Sequence, residues 1–400
     1  MKVAVVVKTY PPEMGGGFTF SQSVIAALRE IEPQTSHEFV YYSDGETDEP
    51  GVKVIPPPQP SDPVQPQPGL RRLAWSLREH LAPAPPPPPP PPPWLQRSLA
   101  QEGVEFVWFA DNYALKVEIP YIFTVLDIEH LRQPWFPETS VDDAWSRRQE
   151  YFSKHIPSAT RVIVPNDAGR EQVLRNFTID AERVISIPHP TPEFALDAAK
   201  AEPQPRDALA RWGITEPYLL YPAQFWPHKN HVTALDALAE LNQRRGESFD
   251  LVLVGSDKEG QLAHVKAVAA ELGLSDRVRF TGFVSSDELV GLYQHAFALT
   301  YLSLFGPENL PPLEAMALGC PVIAADVPGA AEQLGDAALR VAPMDPAALA
   351  DAVQSLNDAE TRSRLTAAGR ELAGSRTARG YVSAVVGFLD EFQKTRRLWS

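Results

Sequence analysis

The chain has 400 residues, 44% of them apolar, and a formal net charge of -15. Such a length suits two domains, and the apolar content is enough for two ordinary cores. The acidic balance argues against a nucleic-acid backbone as the main partner, yet a few local donors would still hold a phosphorylated ligand.

Val3 to Val7 reads as a buried parallel strand. It is too short for a secretory signal and is followed at once by Lys8 and two prolines. No run approaches the roughly 20 apolar residues of a membrane span, so a cytoplasmic protein is expected. The loop after the strand ends in Gly15, Gly16 and Gly17, and a helix is predicted from about Phe20 to Glu30. Strand, glycine loop and helix make the first unit of a doubly wound domain, where glycines let the backbone approach a ligand. Further strands are predicted at Glu38 to Tyr42, Val52 to Ile55, Val104 to Phe109 and Tyr121 to Val125. Between the second and third of these lies a proline-rich insert, 56–93, whose nine consecutive prolines read as a polyproline II spacer. Asp127 and His130 follow the strand that ends at Val125, and catalytic side chains collect at strand ends. Trp135 and Phe136, flanked by prolines, are expected to shape a cleft. A helix to His155, the strand Arg161 to Val164, a helix capped by Asn166 or Asp167 and the strand Val184 to Ile187 complete this half. Prolines then mark a linker over 191–215.

Tyr218 to Pro222 restarts the strand count. Lys229 stands at the entrance of a helix predicted from His231 to Arg244, where its ammonium can neutralise a diphosphate. Strands are predicted at Asp250 to Val254 and Val278 to Val284, and a buried run spans Phe297 to Leu304. After this run comes Phe305-Gly306-Pro307-Glu308-Asn309-Leu310-Pro311-Pro312-Leu313-Glu314, the start of a helix with Asn309 at the cap and prolines in the first turn. A helix start offers N–H groups and a positive dipole end to a phosphate. Because prolines lack the donor, those left are Asn309, Leu310 and Leu313. Glu314 either complements the dipole or accepts hydrogen bonds from a sugar diol. Cys320, the single cysteine, permits no internal disulfide, fits a reducing compartment and is expected to pack in a core. The end of the chain, Tyr381 to Leu398, is an amphipathic helix. Its basic end, Lys394, Arg396 and Arg397 with Trp399, suits either a solvated terminus or weak peripheral contact with an anionic membrane.

Leu310 to Met316 and Gly319-Cys320-Pro321-Val322-Ile323 resemble the signature of the retaining glycosyltransferases of family four (glycosyl transferases group 1), mannosyltransferases among them. The resemblance implies an α/β GT-B fold: two Rossmann-like, doubly wound parallel-sheet domains facing a cleft. It implies an acceptor-side domain over 1–190, a nucleotide-sugar domain over 216–378, and a last helix, 379–400, returning to the first domain. A hexose of mannose or glucose type would pass from a GDP- or UDP-sugar to a hydroxyl of a sugar, glycolipid or glycan, with retention, in polysaccharide or glycoconjugate synthesis. No cofactor or metal is implied.

By the same resemblance, Gly15 to Gly17 lie near the donor phosphates and acceptor, and Asp127 and His130 near the sugar or acceptor. The backbone of Phe283 and Val284 would meet the base, Lys229, Asn309 and Leu310 the diphosphate, and Glu314 the ribose. Two positions depart from the pattern. The family's phosphate-binding arginine falls at Gln224, for which His228 could partly substitute if protonated. The first signature glutamate falls at Gly306, and Glu308, two residues on, is the candidate replacement. These departures keep a second reading open, a non-catalytic nucleotide-sugar sensor or scaffold; a sugar-nucleotide epimerase is a third.

Overall fold

A computed structural model describes residues 1–9, 16–45, 47, 50–55, 94–214, 217–258 and 260–399. Gly15 and the insert over 56–93 lie outside the described residues. The strands form two separate parallel sheets. The first has the order β3-β2-β1-β4-β5-β6-β7, from Val52–Val54, Glu38–Ser43, Lys2–Val7, Phe106–Phe109, Tyr121–Thr124, Arg161–Val164 and Val184–Ser186. The second has the order β10-β9-β8-β11-β12-β13, from Val278–Gly282, Asp250–Val254, Tyr218–Pro222, Ala298–Tyr301, Val322–Ala325 and Ala338–Val341. Both orders reverse beside their first strand, between β1 and β4 and between β8 and β11. Doubly wound sheets bind ligands at such a reversal, outside the carboxyl ends of the strands.

The strand sequences explain the parallel pairing. β4, β5, β8, β9, β11 and β12 are buried at every residue, as expected where helices cover both faces. The first lobe has two cores, one on each face of its sheet, and the second lobe has one continuous core.

Three elements differ from expectation. The first helix is Gly16–Ile31 and starts four residues early, because Gly16 and Gly17 adopt helical geometry. They are therefore its first turn and not part of the preceding loop. The helix from His231 is regular only to Ala239 and continues as a π-turn over Glu240–Arg244. The stretch expected as a linker carries structure over 191–214: helix Glu193–Ala198 and the 3-10 turn Arg206–Trp212 place Ala195 and Leu209 in the second core.

The chain crosses between the lobes near residue 190 and again near 376. The two crossings are tied together, with Thr191 N–H donating to the Arg376 carbonyl and the Thr191 hydroxyl to the Ala373 carbonyl, both at 2.8 Å. The last helix, Ala378–Arg396, then lies on the first lobe. Tyr381, Val382, Val385, Val386, Phe388 and Leu389 join the core that also holds Val24 and Leu28 of the first helix.

Candidate active site

The carboxyl ends of β8 and β11 carry the loops that build the site. Helix Leu310–Ala317 starts in the second of these loops. Gly306 holds φ +87, a left-handed geometry that a glutamate would adopt only under strain. Asn309 occupies the cap position, but its side chain does not cap the helix. Its amide instead donates to the carbonyls of Phe305 (3.2 Å) and Gly306 (3.4 Å), closing the loop. Its backbone N–H, expected to point at a ligand, donates to Gln333 Oε1 at 3.0 Å, while Gln333 Nε2 returns a 2.6 Å bond to the Asn309 carbonyl. The donor count at the helix front is thus one lower than the sequence suggests, and Leu310 N–H becomes the leading donor. Leu310 also meets the glycine turn of the other lobe: a Cβ on Gly16 would lie 3.4 Å from its Cδ1.

Lys229 is half-buried beside this helix front. Its ammonium donates to the Tyr301 hydroxyl at 3.0 Å and to Ser303 Oγ at 3.3 Å. The Tyr301 hydroxyl in turn lies 3.3 Å from Asn309 Oδ1. A two-step hydrogen-bonded path therefore links Lys229 to the helix cap. Among the described residues Lys229 has no carboxylate partner, and an ammonium beside a helix start without a counter-ion is suited to an anion.

His228 is not a substitute cation. Its ring stacks on Phe305, with centroids 4.2 Å apart, and its Nδ1 bonds to the Glu138 carboxylate of the first lobe. Burial pulls its pKa down to about 4 despite Glu138, so the ring is neutral at pH 7. Glu138 is itself held below its ordinary range; burial opposes this, but the His228 hydrogen bond and other contacts outweigh it. Gln133 Nε2 donates to the Leu304 carbonyl at 2.7 Å, and Phe136 packs edge-on against Phe305 at 5.0 Å. Segment 133–138 is thereby clasped to the donor-side loops.

Asp127 faces the same region. Burial would raise its pKa, but the paired Arg148 guanidinium, the Glu129 N–H and the nearby His228 and His130 rings hold it low. His130, expected near the sugar or acceptor, is held by partners within the first lobe. It is fully buried in the first lobe, stacked on Phe152, with Nε2 against Gln149 (3.3 Å) and Nδ1 accepting from Arg148 (3.4 Å). Burial lowers its pKa as well.

Glu308, the candidate for the carboxylate missing at Gly306, is buried and already partnered. One of its oxygens accepts from Arg376 Nη1 and the other from His189 N–H, both at 2.8 Å. It thereby grips both chain crossings. Burial raises its pKa to about 7, against the pull of Arg376. Glu314 is buried with Oε2 accepting from the Tyr293 hydroxyl at 2.7 Å, and burial likewise lifts its pKa to about 7. Its other oxygen has no protein partner among the described residues.

Gln224 accepts from the Trp226 indole at 2.9 Å. After β10, Phe283 is exposed, whereas the Val284 side chain packs in the second core and leaves only its backbone for a ligand. Cys320 is buried in the same core. The sequence reading missed Glu138, Tyr301 and Gln333. Tyr301 was detectable as the residue ending the strand before the helix; Glu138 and Gln333 meet their partners only through the tertiary fold.

Residues 209–372 match the family model described as glycosyl transferases group 1. The chain is 24% identical over 231 residues to the O-antigen chain mannosyltransferase RfbU of Salmonella typhimurium, covering 58% of this chain and 60% of that one. It is 28% identical over 236 residues to the O-antigen chain mannosyltransferase B of Escherichia coli, covering 58% and 61%. The chain thus spans about 60% of the length of these two relatives. In fold it matches Anabaena HepE, solved in complex with UDP-glucose, with a TM-score of 0.67, 17% identity and coverage of 98% and 100%. The two parallel sheets have the GT-B fold, and the second lobe over 209–372 matches the glycosyl transferases group 1 model.

Proposed function

We propose that the chain is a retaining hexosyltransferase of family-four type, moving a mannose- or glucose-type sugar from a nucleoside diphosphate to a hydroxyl of a sugar, glycolipid or glycan. The observation that carries this reading is the Lys229 ammonium, unpaired by any carboxylate among the described residues and bonded through Tyr301 to the cap of helix Leu310–Ala317. The relatives' names and the UDP-glucose in the HepE structure support it.

Bond cleavage builds charge on the leaving diphosphate. Lys229 and the Leu310 N–H stabilise that charge with donors already in place, which costs no reorganisation during the reaction. Glu314, through its free oxygen, accepts from the ribose. The first lobe brings the acceptor hydroxyl to the same face of the sugar, with Asp127 as the ionised group beside it. The leaving diphosphate then takes the acceptor proton, so positioning does most of the work. The donor is a GDP- or UDP-sugar, and the product belongs to polysaccharide or glycoconjugate synthesis at the cytoplasmic side of a membrane. No helix among the described residues is long and apolar enough to cross that membrane, which leaves the basic end of the last helix for weak contact with it.

Incubation with GDP- and UDP-sugars plus a glycan acceptor tests the proposal. Nucleotide release coupled to acceptor extension is expected for one donor. Binding without nucleotide release would favour a sensor, a reading that the neutral Gln224 and Gly306 keep alive; recovery of an altered sugar-nucleotide would favour an epimerase.

A further inference from the structure

The carboxyl edge of the second sheet carries another cation without a carboxylate partner among the described residues, on the loop after β9. β9 pairs with β8 along its whole length, from Tyr218↔Asp250 to Pro222↔Val254. The loops continue side by side: Ala223 N–H donates to the Val254 carbonyl at 2.8 Å, Phe225 N–H to the Ser256 carbonyl at 3.0 Å, and Phe225 bridges Asp257. Gly255 permits this approach. Its φ is +149, and a Cβ there would stand 2.2 Å from the Ala223 carbonyl oxygen. The result sets Lys258 against Trp226, with Nζ 6.0 Å from the ring centroid. The indole N–H of that same ring holds Gln224 Oε1. Lys258 is only partly exposed and has no carboxylate partner among the described residues. His228, on the neighbouring β8 loop, is neutral, which leaves Lys229 as the other cation described on these two loops.

A departing nucleoside diphosphate carries more negative charge than one ammonium and one helix start supply. We propose that Lys258 is the second diphosphate-binding cation of this chain, reaching past Trp226 to supply the charge that Gln224 lacks. The proposal rests on the donor-site reading above. A lysine on a flexible stem serves as a point charge and tolerates such a change of anchoring strand.

Calorimetric titration with UDP and with GDP, at low and high salt, tests this in the full chain. Lys258→Met is expected to bind the preferred nucleotide about tenfold more weakly at low salt and to show a shallower salt dependence. Lys258→Arg should bind like the parent. Adding Gln224→Arg to Lys258→Met should restore most of the lost affinity. Unchanged binding by Lys258→Met overturns the assignment. So does weakened binding that neither arginine restores, since that pattern belongs to a packing role. A parent chain that binds neither nucleotide overturns the donor-site reading itself, and Lys258 with it.

Discussion

Lys229 gains its importance from what it lacks. Among the described residues its half-buried ammonium is held by two hydroxyls, Tyr301 at 3.0 Å and Ser303 at 3.3 Å, and by no carboxylate, which suits an incoming anion. Lys229→Met should therefore weaken UDP or GDP binding by about tenfold or more, while a thermal melt without ligand shifts little; unchanged affinity by titration would remove it from the site. The placement of Lys229 after β8 and of Glu314 in the first turns of helix Leu310–Ala317 was legible, because both follow from strand ends and a helix start. For His228, His130 and Glu308 the sequence leaves charge state and orientation open, because both depend on partners distant in sequence. Glu308 takes its partners 68 and 119 residues away, and the His228 ring is neutral because the folded lobes bury it. A motif places a residue on an element, but its partners decide whether it faces the ligand.

At the scale of elements, the strands were legible almost throughout, since parallel strands covered on both faces read as unbroken apolar runs. Helices were harder where glycine opens them, as at Gly16, or where the apolar stripe is short. Helix Gln261–Glu271 buries only Val265 and Ala269 and gives little periodic signal. The last helix gives a strong one. Leu389 is fully buried against the first lobe, so Leu389→Ala should cost about 2–5 kcal/mol, measurable by chemical denaturation. Gly329 is the sharper case. It has φ +95, and a Cβ there would lie 2.3 Å from the Pro307 carbonyl oxygen and 2.7 Å from Asn166 Nδ2. Those two groups form a 2.7 Å hydrogen bond between the lobes, with Asn166 Nδ2 donating to the Pro307 carbonyl. Gly329→Ala should cost about 1–3 kcal/mol from backbone strain alone and loosen that contact, read as faster hydrogen exchange over 165–170 and 305–309. Exchange unchanged there would show that the contact does not depend on this glycine.

At the scale of the whole molecule, two sets of buried groups pull its pH dependence in opposite directions. Burial lowers His155, His189 and His228 to about 4 and His231 to about 3. The unfolded chain binds these protons near 6.5, so each histidine favours the folded state above that pH and loses its contribution as pH falls toward the folded value. Glu308 and Glu314, lifted to about 7, act with the other sign. Between about pH 4.5 and 7 the folded state holds their protons and the unfolded chain does not, so their stabilisation is lost as pH rises. From about pH 4.5 to 6.5 these four histidines, joined by His37 and His130 lowered in the same direction, work against Glu308, Glu314 and the likewise raised Glu129, and the melting temperature should climb with pH. Glu314→Gln removes one opposing group and keeps an oxygen for Tyr293, so its melting temperature should climb more steeply than the parent's over the same range. Calorimetric melts at half-unit pH steps read both slopes. A parallel pair of curves would show that Glu314 titrates in the folded protein as it does in water, with its carboxylate open to solvent from the cleft.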